Sequence, residues 1–393
     1  MKFICSSQIL SEACMNVQRA TSTKSSNLPT IEGILIKAEN DRIMLTGYDL
    51  EVGIITSVAG RVEQTGSIIL NAKILCDILR NVPDDLVSIE CDDRLICKIK
   101  SGDSEFSIMG FSEADYPELP SVSGGFPIVV GGEILKDMVK KTIFAAAEND
   151  SKVIHTGVRF EVTSGNIRLV SVDGYKLAIR NEKIDYNGEE KIFVVPKKTL
   201  NEVVKLINDN CETISMVVAS RHILFECGNY VIISRLLEGE FLNYKAAILS
   251  TAKTEVKVNT RNLISSIERT SLIITERIKS YVRCIFDSES IRISSTTALG
   301  TANDRILADI QGERVEIGFN NKYLLDALKV CDTDEITLRL NGATSPIIMV
   351  PEDDGSLIYE RSFLFMVLPV RMNWYEKNFS ENQTKRAQTN SNI

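Results

Sequence analysis

One pattern of predicted elements occurs three times along the chain, and this repeat restricts the fold more than any other feature. Segments with apolar residues at helical spacing begin at Ser7, Glu133 and Thr260. Successive copies are therefore separated by roughly 125–130 residues, and self-similarity at a fixed period indicates repeated structural units. The chain is expected to consist of three tandem copies of one domain.

A short apolar strand followed by a cap and an amphipathic helix also occurs once in each copy. Elsewhere in the copies, runs such as Ile167–Ser171 alternate apolar and polar residues, which is typical of strands. The pattern predicts an α+β fold with antiparallel sheets and two helices in each of three domains. The strand–helix segments, each with a lysine and a leucine at equivalent places, are 67–79 (Lys73, Leu75), 193–204 (Lys198, Leu200) and 315–328 (Lys322, Leu324).

Composition and cysteine usage favour a cytoplasmic protein. The 393 residues contain no apolar run of about 18 residues, so no membrane association is expected. The first residues, Met1–Cys5, lack the apolar core and cleavage site of a secretion signal. Nine cysteines occur without a C-x-x-C pair, which predicts reduced thiols packed in the interior and neither a disulfide framework nor a zinc site.

The chain carries none of the local signatures of catalysis. Only two histidines occur, His155 and His222, and neither has a metal-ligand spacing. Phosphate-binding, dinucleotide-binding and nucleophile-elbow motifs are absent. The acidic cluster at 352–355 is interpreted as a turn and not as a metal loop. We therefore predict no catalytic residue, no metal and no cofactor; an enzyme acting on nucleic acid stays open as an alternative.

Positive charge is concentrated in the predicted helices. The chain has a formal net charge of −8, yet the six helical segments together are net positive. A mildly basic helical surface in an acidic body suits weak, sequence-independent contact with phosphates. The competing interpretation is that surface helices carry lysine for solubility.

Four short stretches, taken in order with the threefold repeat, identify a family. They are Leu45–Glu51, Ala114–Pro117, Val172–Ala178 and Leu368–Met372. With them the chain resembles the beta subunit of bacterial DNA polymerase III, the sliding clamp, over residues 1 to about 372. The domains predicted from the repeat and the resemblance are 1–124, 125–253 and 254–372, followed by a disordered tail at 373–393.

The resemblance implies a function through encirclement of DNA and not through a reaction. Clamps of this family are head-to-tail homodimers that form a ring, with helices facing the hole and sheets outside. Such a ring holds duplex DNA without sequence preference and tethers the replicative polymerase, the clamp loader and other proteins with a clamp-binding motif. The alternative is a clamp-fold interaction scaffold that forms no ring and regulates replication or repair; the oligomeric state would separate the two.

The resemblance and the helical segments together supply candidate residues for the dimer interface and for DNA. Phe106, on a strand at 104–109, matches the apolar interface position, and Leu272 and Ile273 match its partner. The family's backbone contacts map to Lys73, Lys197 and Lys198. The helices add further basic residues as DNA-binding candidates: Arg19, Lys24, Arg80, Lys140, Lys205 and Lys322.

The resemblance also implies a pocket that receives short apolar peptides from partner proteins. This chain has Leu242, Ala246 and Ile278 where relatives often carry other residues, which puts the peptide preference in doubt. We also raise the hypothesis that Trp374 and Tyr375, in the tail, fold over the pocket. The pocket positions are Val172, Gly174, Tyr175, Lys176, Leu177, Leu242, Ile278, Asn320, Tyr323, Pro346, Val367, Leu368, Pro369, Val370, Arg371 and Met372.

Overall fold

The structure is a computed structural model that describes most of the chain up to residue 372. Four predictions made from the sequence lie wholly or partly outside the described residues. They are the disordered tail with its hypothesis for Trp374 and Tyr375, the DNA contact of Lys24, the pocket position of Ile278, and the turn at 352–355, of which 353 and 354 lie outside. The described ranges are 1–22, 28–122, 124, 127–149, 152–208, 211–249, 251–275, 280–352 and 355–372.

The first copy of the repeat has two helices and nine strands. Each helix begins at a polar residue whose side chain accepts a hydrogen bond from the first turn: Ser6 from the Ile9 N–H and Asn71 from the Ile74 N–H. The elements are β1 (Lys2–Ser6), α1 (Ser7–Val17), β2 (Gly33–Glu39), β3 (Arg42–Tyr48), β4 (Val52–Ala59), β5 (Arg61–Gln64), β6 (Gly66–Asn71), α2 (Ala72–Asn81), β7 (Leu86–Cys91), β8 (Ile96–Ser101) and β9 (Ser104–Met109).

The second copy follows the same order, with one strand fewer between its helices. Its second helix begins after Pro196, a residue that suits a helix start because its ring fixes φ. The elements are β10 (Ile128–Gly131), α3 (Gly132–Lys140), β11 (Gly157–Thr163), β12 (Asn166–Val172), β13 (Lys176–Lys183), β14 (Lys191–Pro196), α4 (Lys197–Leu206), β15 (Thr213–Val218), β16 (His222–Cys227) and β17 (Tyr230–Arg235).

The third copy restores the full order, and both of its helices begin at an asparagine cap. The Asn259 side chain accepts from the Asn262 N–H, and the Asn320 side chain accepts from the Lys322 and Tyr323 N–H groups. The elements are β18 (Thr254–Asn259), α5 (Thr260–Ser271), β19 (Val282–Asp287), β20 (Ser290–Thr297), β21 (Gly300–Leu307), β22 (Asp309–Gly312), β23 (Val315–Phe319), α6 (Asn321–Leu328), β24 (Glu335–Leu340), β25 (Ile347–Val350) and β26 (Phe363–Val367).

The chain folds into two compact units whose boundary divides the second copy. The first unit comprises Met1–Asp137, Thr163–Gly165 and Ile184–Glu238. It contains a five-stranded sheet, ordered β5-β1-β7-β8-β9, and an eight-stranded sheet, ordered β10-β15-β16-β17-β4-β3-β2-β6. The larger sheet joins two copies, because β17 pairs antiparallel with β4 in the register Ile232↔Ile54.

The second unit comprises Met138–Val162, Asn166–Lys183 and the residues from Gly239 onward. One of its sheets runs in the order β11-β12-β13-β26-β25-β24-β18-β22, and a four-stranded sheet runs β21-β20-β19-β23. Here β26 pairs antiparallel with β13, with Lys176 opposite Val367. This is the same connection between successive copies that β17 and β4 make in the first unit.

The leucine that recurs in each strand–helix segment is a core residue in all three copies. Leu75, Leu200 and Leu324 are buried, as the helical spacing predicts. In the second unit, Leu324 packs in one cluster with Ile267 of α5 and Phe365 of β26. The three-domain α+β arrangement predicted from the repeat is confirmed, while the exact boundaries at 124/125 and 253/254 stay predictions.

Four of the nine cysteines are paired, so the prediction of nine reduced thiols was wrong. Cys91 and Cys97, directly opposite each other on β7 and β8, form one disulfide, and Cys211 and Cys227 form the other. The error came from pairing across strands, which local spacing does not encode. The remaining thiols include Cys5, whose pKa is raised to about 12 by burial.

Within the described residues, no helix has the length and apolar character needed to cross a membrane.

The two neighbouring residues Leu75 and Ile74 test how α2 packs. Leu75 is fully buried, whereas the Ile74 side chain is 49% exposed. We expect Leu75→Ala to lower the free energy of unfolding by about 2–5 kcal/mol because it leaves a cavity. Ile74→Ala, the matched control, should change it by less than about 1 kcal/mol. Urea unfolding of both variants measures the difference, and equal effects would contradict this packing of α2.

Candidate functional sites

β9 and β21 are among the strands that end a sheet, and within the described residues neither has a second strand paired along its outer backbone edge. Along both strands, half-buried and exposed side chains alternate, so each has an inner and an outer face. Phe106, a predicted interface residue, lies on the inner face of β9, and Ala302 lies on the inner face of β21. Open edges with unpaired N–H and C=O groups readily pair with another strand.

The other predicted interface residues lie next to β21. The side chain of Arg269, in α5, donates from Nε to the Asp304 carboxylate of β21 at 3.0 Å. Leu272 follows directly as the C-cap of α5 and its side chain is 80% exposed, while Ile273 is half-buried. An exposed apolar residue thus caps the helix that packs against β21.

In the first unit, the predicted DNA-binding residues lie at helix surfaces, but not all are equally available. Arg19 and Lys73 are exposed, and Lys197 is half-buried. Arg80 pairs with Asp77 at 3.2 Å, and Lys205 pairs with Glu202 at 2.8 Å.

Lys198 differs from these residues because its ammonium contacts a carboxylate from a different copy of the repeat. Its Nζ atom lies against Asp49, in the turn between β3 and β4, and 4.0 Å from Glu51.

Two further predicted DNA-binding residues belong to the second unit. Lys140 is the last residue of α3 and Lys322 is the second residue of α6, and both are exposed. Exposed ammonium groups at helix surfaces can contact phosphates without reading sequence.

The predicted peptide pocket is built around the turn between β12 and β13. The Asp173 carboxylate accepts hydrogen bonds from the Tyr175 N–H at 2.9 Å and the Lys176 N–H at 2.7 Å. Gly174 has φ +86°, a conformation that glycine adopts without a steric cost. This turn presents the ring of Tyr175, 59% exposed, at a distance of 5.7 Å from the ring of Tyr323 in α6.

Beneath these rings, Lys176 is a buried ammonium and not a rim charge. Its Nζ atom donates to the Phe144 carbonyl at 2.8 Å and lies 3.5 Å from both Asp173 and Asp326. It also lies 4.9 Å from the centre of the Tyr323 ring, a cation–π distance. Burial, followed by the charge of Asp173, raises the pKa of Tyr323, so its hydroxyl stays protonated at neutral pH.

The segment after β26 borders this site and is fixed by two backbone hydrogen bonds. The Leu368 N–H donates to the Tyr175 carbonyl, and the Val370 N–H donates to the Gly318 carbonyl, both at 2.9 Å. Gly318 lies close to Met372, and a Cβ atom at that glycine would lie 3.0 Å from the Met372 Cγ atom. The backbone of this segment is therefore held at Leu368, next to Tyr175, and at Val370, next to Gly318.

The structure divides the predicted pocket residues by accessibility. Val172, Leu177 and Val367 are buried, and their place in the peptide pocket stays a prediction. Leu242 is exposed in the turn before Tyr244. The remaining predicted positions with at least partial exposure are Gly174, Tyr175, Asn320, Tyr323, Pro346, Leu368, Pro369, Val370, Arg371 and Met372.

Several residues that shape the sites were not predicted from the sequence. Asp173 and Asp326 hold Lys176, and Asp49 contacts Lys198. A sequence signal existed for two of them, because an aspartate directly after a strand often forms a turn with the N–H groups two and three residues later.

Comparison with known proteins agrees with the repeat. The N-terminal, central and C-terminal domains of the DNA polymerase III beta subunit match residues 1–120, 130–243 and 246–361. The beta sliding clamp of Bacillus subtilis is 32% identical over 383 residues, covering 94% of this chain and 100% of that protein. The beta sliding clamp of Halalkalibacterium halodurans is 31% identical and covers 91% of this chain and 98% of that protein.

A solved structure gives the same result at the level of the fold. The crystal structure of the Bacillus subtilis DNA polymerase sliding clamp superposes with a TM-score of 0.90 at 32% identity, covering 95% of this chain and 100% of that one. Because the three domain matches follow one another over most of the chain, and the relatives match over nearly their full length, the chain belongs to the DNA polymerase III beta subunit family of bacterial sliding clamps.

Proposed function

We propose that two copies of this chain close into a ring that encircles duplex DNA and tethers the replicative polymerase. The observation that carries the proposal is the repeated pairing between successive copies. β17 pairs with β4, and β26 pairs with β13, but the equivalent strands β9 and β21 end their sheets. Each pairing joins two different strands, the last strand of one copy and a strand between the helices of the preceding copy. One strand of each type therefore stays unpaired in the chain, and a second copy can pair with both.

The pairing inside the chain also indicates the register between two copies. In the β16–β17 hairpin Cys227 faces Tyr230, and in the β8–β9 hairpin Ser101 faces Ser104, so Ser104 is the counterpart of Tyr230. In the β17–β4 ladder, Ile232 lies opposite Ile54. We align Phe106 of β9 with Ile232 and Ala302 of β21 with Ile54, which places Phe106 opposite Ala302 of the partner copy. Both residues lie on half-buried inner faces, and the large side chain meets a small one.

This register is testable by cysteine cross-linking. It places Ser107 opposite Thr301 of the second copy, both exposed in the single chain. Opposite residues in an antiparallel pair have Cα atoms about 4.5–5.5 Å apart, within the range of a disulfide. We expect the Ser107→Cys/Thr301→Cys variant to form a covalent dimer under mild oxidation on a non-reducing gel. Ser107→Cys/Arg305→Cys, four residues out of register, is the matched control; equal cross-linking of both, or of neither, argues against the register.

Retention on DNA tests encirclement itself. The protein is loaded on a nicked circular plasmid by its cognate clamp loader with ATP, and gel filtration measures bound protein before and after the plasmid is cut. A ring should stay on the circle and leave the linear DNA, because topology and not affinity holds it. Phe106→Asp, which puts a charge at the proposed interface, should not be retained on either form. Retention that is unchanged by cutting would mean that the protein binds by contact.

We further propose that the surface of Tyr175, Tyr323 and the 368–372 segment captures short apolar peptides from the polymerase, the clamp loader and other partners. Paired aromatic rings beside apolar side chains are suited to anchoring such a peptide. The buried ion pairs of Lys176 support the proposal because they fix the base of the site. The chain itself then needs no catalytic residue, since its partners carry the chemistry.

Tyr175 offers a clean test of peptide binding because its exposed ring adds little to stability. With a fluorescent peptide copied from the clamp-binding segment of the replicative polymerase, we expect Tyr175→Ala to weaken affinity at least about tenfold, as loss of an aromatic anchor typically does. Tyr175→Phe keeps the ring and should bind nearly as the unaltered protein does. Fluorescence anisotropy measures both, and equal binding by all three proteins would exclude Tyr175 from the site.

The cross-linking and DNA-retention experiments, together with the peptide-binding experiment, also distinguish the ring from the alternative function, a clamp-fold scaffold that forms no ring. A scaffold without a ring would bind the peptide but form no cross-linked dimer and show no loss on cutting the circle. Failure to load, while the same loader loads a control clamp, would favour that scaffold.

A further inference from the structure

The three lysines that recur in the strand–helix segments are not in equivalent electrostatic surroundings. Lys73, Lys198 and Lys322 are each the second residue of a helix, namely α2, α4 and α6. Among the described residues, Lys198 has a carboxylate partner, whereas no ion pair is found for the other two. The three lysines occupy the same position in their helices, but among the described residues only Lys198 is restrained by an ion pair.

The partner of Lys198 is itself rigidly held. Asp49 follows β3, and its Oδ1 atom accepts hydrogen bonds from the Glu51 N–H at 3.0 Å and the Val52 N–H at 2.8 Å. Its Oδ2 atom remains for the Lys198 ammonium. The Asp49 side chain is 7% exposed and the Lys198 side chain is 51% exposed. The carboxylate is thus fixed, and the lysine is the partner that can move.

The equivalent turn in the second unit shows that this pairing is particular to Asp49. Asp173 accepts hydrogen bonds from the N–H groups two and three residues later, as Asp49 does. Its second oxygen, however, lies 3.5 Å from Lys176, a lysine of its own turn. The same backbone geometry therefore leaves Lys322 unrestrained but holds Lys198.

We propose that Asp49 is a positioning residue that restrains Lys198, so that Lys198 can contact a DNA phosphate only by breaking this ion pair. The inference rests on the proposed DNA-binding function and refines it. A lysine that exchanges a carboxylate for a phosphate gains little, because the freed Asp49 must be solvated and attracts a cation in turn. Restraint of this kind weakens the grip on DNA and favours sliding.

The salt dependence of binding distinguishes this mechanism from a purely structural role. A free lysine that meets a phosphate releases a counterion from DNA, which steepens the plot of log affinity against log salt by about 0.9. In the unaltered protein, the cation taken up near Asp49 offsets this release. Removal of the Asp49 charge should therefore make the slope of this plot steeper by about 0.9, the release of roughly one cation, while leaving the fold intact.

Asp49→Asn is the appropriate variant because the asparagine carbonyl can still accept the two N–H hydrogen bonds of the turn. With a short fluorescent duplex and the full-length protein, we expect the variant to bind about threefold to fivefold more tightly at low salt, as loss of a half-exposed ion pair allows. The steeper salt plot should accompany the gain. Unchanged or weaker binding would overturn the proposal. Should this variant fold poorly, Asp49→Ser also retains an acceptor for the turn and repeats the test.

Two controls separate the ion pair from a general effect of charge. In a Lys198→Ala background, Asp49→Asn should give no gain, because no lysine is left to release; an equal gain there would overturn the proposal. Glu51→Gln removes the same charge at the more distant carboxylate and should have a smaller effect; an effect as large as that of Asp49→Asn would likewise count against Asp49.

Duplex binding by the unaltered protein also shows whether this inference fails alone or together with the proposed function. If it shows no affinity for the duplex at any salt concentration, the DNA-binding function fails together with the inference. If it binds, but Asp49→Asn binds identically, only the inference fails.

Discussion

Backbone pairing between successive copies of the repeat is the constraint on which the rest of the structure depends. A sheet edge exposes N–H and C=O groups that must find partners, and β4 and β13 find them in strands of the following copy. The larger sheet of each unit therefore contains strands from two copies. A chain assembled in this way has one strand of each kind left over, β9 and β21, and the proposed ring uses these two strands to pair with a second copy.

The same turn geometry carries different side chains in the two units. In both, an aspartate holds the turn and the next strand receives a neighbour: the Arg235 N–H donates to the Glu51 carbonyl at 3.0 Å, as the Leu368 N–H does to the Tyr175 carbonyl. The side chains differ, since a tyrosine stands at the exposed place in the second unit and a glutamate in the first. The backbone thus fixes where a site can lie, while side chains determine whether it suits an apolar peptide or a lysine.

Much of this architecture is predictable from the sequence because it is local. Helical periodicity and the asparagine before α2 and α6 indicate the helices, and the repeat locates the equivalent lysines. Pairing between distant segments is not encoded locally: the β17–β4 ladder, the contact of Lys198 with Asp49 and the disulfide between Cys211 and Cys227 all depend on tertiary structure. Leu177 and Val367 are assigned to the predicted pocket by resemblance, and the structure shows that both side chains are buried.

The proposed function requires an acidic chain to hold DNA, which is a physical conflict that the distribution of charge bears on. With a net charge of −8, strong attraction would require a large basic surface, and its many phosphate contacts would also slow movement along the duplex. Lys73 and Lys322 are exposed, whereas Arg80, Lys198 and Lys205 each lie beside a carboxylate that offsets their charge. Weak attraction is sufficient when the ring is closed, because leaving the DNA then requires an interface to open and not merely the loss of ionic contacts. In the proposed ring, the strength of the strand pairing at β9 and β21, and not the number of lysines, would therefore set how long the protein stays bound.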